Sequence, residues 1–83
     1  MNVTRQLHFL KLGCTDRQAD VMNAITELTE ALNTPPTIRE LAEHLKLKSN
    51  NSVKEHLLRL RTKGLVSFRD NQARTITITD KAK

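Results

Sequence analysis

The run Ser49-Asn50-Asn51-Ser52-Val53-Lys54-Glu55 sets six hydrogen-bonding side chains around a single valine. Their chemistry is that of a surface able to read base edges. An asparagine amide donates to and accepts from adenine at once, and a glutamate accepts from the cytosine amino group. A lysine donates to guanine, and a serine hydroxyl serves either role. A serine at a helix start is also the ordinary cap, so the meaning of the run depends on what lies behind it. Val53, Leu57 and Leu60 recur at i, i+4 and i+7, one face of a helix. With Val53 at zero, Leu57 falls at about 40° and Leu60 at about 340°. Asn51 then falls at about 160°, Glu55 at about 200° and Arg59 at about 240°, on the outward side. Ser52 and Lys54 flank that stripe. Leu58, at about 140°, is an apolar group on it, placed to pack on the hairpin or to touch a thymine methyl.

Ser49, Asn51, Ser52, Lys54 and Glu55 are therefore the candidate base readers. Lys46, Lys48, Asn50, Arg59, Arg69 and Arg74 are the candidate phosphate contacts, helped by the backbone N–H groups that open the helix. Charge supports a polyanionic partner. The 83 residues carry a net charge of +5. Residues 1–42 hold four Lys/Arg against five Asp/Glu, while residues 43–83 hold ten against four. A basic half joined to a near-neutral half is the electrostatic footprint of nucleic-acid binding.

Such a helix needs elements to hold it, and the rest of the chain supplies them. "TDRQ" from Thr15 is a capping box, followed by Val21, Ile25, Leu28 and Leu32 on one helical face. Pro35 and Pro36 end that helix. "TIRE" from Thr37 is a second box, opening a short helix with Ile38, Leu41, Ala42 and Leu45 inward and an end near Lys46. The third helix follows after three or four residues, and Gly64 is placed to end it in the left-handed conformation. "LVSFR" and "TITIT" then alternate, separated by the polar "DNQAR", as a β-hairpin does. The expected fold is mainly α with a small β-hairpin: a winged helix-turn-helix of three helices and a two-stranded antiparallel wing, over residues 15–83. In a helix-turn-helix the second helix enters the major groove with its N-terminal residues at base edges. Residues 1–14 read as an extension that fits helix (Val3, Leu7, Leu10) or strand (Leu7, Phe9) equally. The tail "DKAK" reads as frayed.

Catalysis finds little to work with. His8, His44 and His56 share no metal-ligand spacing, and Cys14 is a single thiol at an element boundary. Two glycines leave no Gly-rich phosphate loop, and no nucleophile elbow is present. The expectation is a non-enzyme without metal or cofactor. No apolar run reaches the roughly 18 residues of a membrane span, and the first residues lack the apolar segment of a signal peptide. A soluble cytoplasmic protein is expected, with double-stranded DNA as partner and no membrane.

The motifs taken together resemble the N-terminal DNA-binding domain of the LexA repressor family. "TDRQADVMNAI", "TPPTIRELAEHL" and "KSNNSVKEHLLRLRTKGLV" carry the likeness, over about residues 15–79. They match a Thr-x-Arg-Gln helix start at Thr15, Arg17 and Gln18, a Pro-Pro-Thr at Pro35 to Thr37, and a Ser-x-Asn start at Ser49 and Asn51. Glu-His-Leu falls on Glu55 to Leu57, and Lys-Gly on Lys63 and Gly64. The resemblance implies a repressor that occupies an operator, with Ser49, Asn51 and Glu55 at the DNA-reading face. Ser52 and Lys54 stand where the family pattern has alanine and glutamate, which implies a different preferred sequence. Lys46 stands where the family turns on glycine. The family's self-cleaving Ser/Lys protease domain, which also dimerises, has no counterpart before Lys83.

Three arrangements follow from that last point. The chain is a domain of a longer repressor, or a homodimer through residues 1–14 or the wing, or a weak monomeric binder beside a second regulatory protein. A different reading makes it a winged-helix module that binds a regulator or polymerase subunit rather than DNA. The observations behind that reading are Leu58 on the outer face and the apolar N-terminal segment.

Overall fold

The computed structural model describes residues 3–82, with side chains described from Leu7 onward. The order is α1 (Val3–Lys11), α2 (Asp16–Leu32), α3 (Ile38–His44), α4 (Asn50–Thr62), β1 (Val66–Ser67), β2 (Thr77–Ile78) and a 3-10 turn (Asp80–Ala82). β1 and β2 pair antiparallel, Val66 opposite Ile78 and Ser67 opposite Thr77. This is a winged helix-turn-helix, with one more helix than the sequence pattern resolved. No described helix is long and apolar enough to cross a membrane.

The helix starts form as their sequences dictate. Thr15 Oγ1 accepts the Gln18 N–H at 3.1 Å, and Gln18 Oε1 accepts the Thr15 N–H at 3.1 Å. Thr37 and Glu40 do the same at 3.0 and 2.8 Å. Each box satisfies two N–H groups that a helix start leaves without partners. At the other end of α2, Asn33 turns left-handed (φ 57°) before the prolines.

Three of the described helices end in one and the same motif. After α1, Cys14 N–H reaches Phe9 O and Gly13 N–H reaches Leu10 O. After α4, Leu65 N–H reaches Leu60 O and Gly64 N–H reaches Arg61 O. After α3, Leu47 N–H reaches Ala42 O and Lys46 N–H reaches Glu43 O. These are Schellman ends, which need a left-handed residue at the turn. Gly13 (φ 91°) and Gly64 (φ 78°) take it freely, whereas Lys46 (φ 58°) holds it against its own Cβ.

The core is aliphatic. Val21, Met22, Ile25, Leu41, Val53, Leu57, Leu60 and Leu65 are buried, and Ile76 closes the core from the wing. Truncating any one of the large buried leucines to alanine costs about 2–5 kcal/mol. Both ambiguous ends of the chain take definite form. Residues 3–11 make a helix, and Phe9 rather than Leu7 enters the core: Phe9 is 3% exposed, Leu7 52%. The side chain of Val3 lies outside the described residues. The tail is not frayed through Ala82. Asp80–Ala82 form a 3-10 turn, Ala82 is fully buried, and His8 Nε2 lies 2.9 Å from Ala82 O. That contact spans 74 positions of sequence, so no local pattern announces it.

Candidate nucleic-acid interface

α4 is held from three sides and open on the fourth. Val53, Leu57 and Leu60 are fully buried, while Asn51, Lys54, Glu55, Leu58 and Arg59 are exposed. The helical arithmetic from Val53 therefore orients the helix correctly. Ser49 caps it, accepting the Asn51 N–H at 3.1 Å. That leaves the Ser49 hydroxyl proton as a donor. Lys46 and Lys48 stand exposed in the turn before the cap, beside exposed Asn50. Ser52 is half-buried at the edge of the stripe. The structure thus gathers Lys46, Lys48, Ser49, Asn50, Asn51, Lys54 and Glu55 at one end of α4, with Arg59 one turn further along.

The two flanks of α4 differ. On the wing side, Arg61 stacks over the Phe68 ring, its guanidinium carbon 4.2 Å from the ring centre. Its Nη1 also donates to Phe68 O and Asp70 Oδ1, both at 3.4 Å. A groove of about 330 Å³ runs beside this contact, with Arg39, Lys54, Arg69 and Arg74 on its walls. Arg69 is exposed there. Arg74 is already engaged, its Nη1 3.2 Å from Glu40 Oε1 and 3.2 Å from Pro35 O.

On the other flank α4 meets the first turn of α2. His56 is half-buried, and its Nδ1 is enclosed without a hydrogen-bond partner among the described residues. Burial first, then the Arg17 and Arg59 charges, hold its imidazole below the usual range. Arg17 also shares a groove with Lys46. Arg17 and Arg39 are basic groups near α4 that the residue-by-residue reading did not place there. Arg61 was placed in the last turn of α4, but its contact with the wing carries no local sequence signal, and neither does the nearness of Arg39. Arg17 was visible only as a letter in the family pattern, since the packing of α2 on α4 is what brings it near.

The chain is similar to known proteins over most of its length. The family model described as "LexA DNA binding domain" matches residues 11–75. The chain is 38% identical over 69 residues to the LexA repressor of Myxococcus xanthus, covering 83% of this chain and 31% of that protein. It is 39% identical over 71 residues to the LexA repressor of Anaeromyxobacter dehalogenans strain 2CP-1, covering 86% and 31%. Against that of Clostridium perfringens it is 33% identical over 66 residues, covering 80% and 32%. The chain spans about a third of the length of these curated relatives.

Proposed function

The chain belongs to the LexA DNA-binding domain family, and from that premise we propose a sequence-specific double-stranded DNA-binding regulator. It represses transcription by occupying an operator, with α4 in the major groove. The carrying observation is the orientation of α4, with its apolar stripe buried and Asn51 and Glu55 exposed beside a basic turn. Ser49, Asn51, Ser52, Lys54 and Glu55 read base edges. Lys46, Lys48, Arg59 and Arg69 neutralise phosphates, and Asn50 donates a hydrogen bond to one. Repression is proposed on the strength of the relatives' name, LexA repressor.

The test is selection from a random duplex pool across a salt series. We expect a specific sequence to enrich, and no enrichment at any salt would sink the proposal. Asn51→Ala relaxes the preference by about 1–3 kcal/mol at the position it reads. Lys48→Ala weakens all sequences alike and lowers the salt slope by about one.

One helix-turn-helix reads one half-site, and two copies on an inverted repeat gain by spanning both. Dimerisation through α1 would use Leu7, because Phe9 already belongs to the core. Deleting residues 1–14 would therefore damage the fold. Leu7→Ser is the cleaner probe, and sedimentation of the parent and this variant reports the outcome. Dimerisation through α1 fails if the two sediment alike.

A further inference from the structure

Besides the burial of Val66 and Ile76, two arginine contacts among the described residues tie the wing to the helix-turn-helix. One is the Arg61–Phe68 stack from α4. The other joins Arg74 to the start of α3, where Glu40 Oε1 receives both the Thr37 N–H at 2.8 Å and Arg74 Nη1 at 3.2 Å. We infer that Glu40 and Arg74 form a latch that sets the wing's position against α4, making Arg74 a positioning residue for DNA binding rather than a phosphate contact. The inference rests on the DNA-binding reading above.

Three features support the latch. The acceptor is placed before the wing arrives, because the capping box already fixes the Glu40 side chain. The donor is also constrained: Arg74 lies at φ 59°, and Asn71 in the same turn at φ 61°. A non-glycine residue is disfavoured there by steric crowding at Cβ, a cost that the local bonds of Thr75 and the contacts of Arg74 offset together. The Pro35 carbonyl supplies a further contact to Arg74 at 3.2 Å, with no charge of its own.

The latch has a consequence for recognition. Lys54 of α4 and Arg69 of the wing line the same groove. With Arg61 holding one side and Arg74 the other, the backbones that carry these two cations are positioned before DNA arrives. Part of the wing's ordering is then done in the free protein, and that part of its entropy is not lost on binding.

Glu40→Gln separates the roles. Glutamine serves the capping box as glutamate does, while the charge that holds Arg74 is gone. In the latch, Glu40→Gln and Arg74→Ala each weaken binding to a duplex selected by the parent protein. The expected loss is about twofold to fivefold, the range of a partly exposed ion pair. The double variant is no weaker than either single one. If Arg74 instead contacts phosphate, Glu40→Gln releases it and binding stays equal or tightens, which overturns the latch.

A second measurement needs no DNA. In Glu40→Gln, amides of residues 69–75 should exchange faster with solvent while those of α3 stay protected. Unchanged exchange across the wing also overturns the latch. If the parent protein selects no duplex, the DNA-binding reading fails, and wing exchange still decides whether the latch exists.

Discussion

The two capping boxes share a design and differ in what they face. In each, the side chain at the third helical position holds its own helix start and also receives a cation from far along the chain. Gln18 Oε1 accepts Lys63 Nζ at 2.7 Å, from the end of α4. Glu40 Oε1 accepts Arg74 Nη1 at 3.2 Å, from the wing. The first acceptor is a neutral amide, 5% exposed. The second is a carboxylate at the surface edge. A buried amide avoids the desolvation cost that a buried carboxylate would carry. It suits a joint that stays closed, and Lys63 adds a second bond there, to Gly13 O at 2.8 Å. A surface carboxylate makes a weaker, screened joint. It holds the wing in place at little desolvation cost.

Four measurements would break or sharpen this contrast. Gln18→Ala should cost most, about 1–3 kcal/mol in urea unfolding, because it leaves the Thr15 N–H and Lys63 without their shared acceptor. A loss no larger than that of Glu40→Ala would break the contrast. Thr15→Ala and Thr37→Ala should each cost about 1 kcal/mol, the usual value of a cap. Near-equality of these two is expected, since the caps themselves are alike. Lys63→Met should cost less than Gln18→Ala, since the capping bond survives. Non-additivity in the double variant would measure the Gln18–Lys63 coupling.

Acid provides the fourth and smallest effect. The Thr37 backbone N–H, and after it the Arg74 charge, hold the Glu40 carboxyl below its usual value of 4.5. The folded state therefore resists protonation more than the unfolded chain does. The contribution is complete above the usual carboxylate value and is lost as pH falls through the lowered one. Wing amides should loosen on acidification more than those of the Thr15–Gln18 cap, because the Gln18 amide does not titrate. Equal loosening of both would contradict the assignment.

These joints also mark where sequence reading stops. Thr15 with Gln18, Thr37 with Glu40, and the Val53–Leu57–Leu60 stripe were legible because each interaction closes within one or two turns of helix. The far partners Lys63 and Arg74 lie 45 and 34 positions away, and nothing local selects them. α1 was ambiguous because it is nine residues long and, among its described side chains, buries chiefly Phe9, which falls off the Val3–Leu7–Leu10 face. The wing was recognisable from its alternation. Its pairing covers only two residues per strand, so side chains from α3 and α4 hold what backbone bonds cannot. Within α4, Asn51 and Glu55 could be oriented from the pattern alone. The engagement of Arg74 and the nearness of Arg17 needed the packed structure.

Lys46 has a wider implication. It occupies the left-handed position that Gly13 and Gly64 fill elsewhere. Glycine at 46 would relieve roughly 1 kcal/mol of backbone strain, set against glycine's greater freedom in the unfolded chain. It would also erase a positive charge at the elbow of the reading motif. The family pattern turns on glycine there, so this chain exchanges backbone ease for charge at that one position. Position 46 is thus a place where thermal robustness and the proposed phosphate contact pull apart, and where stabilising substitutions should be sought with care.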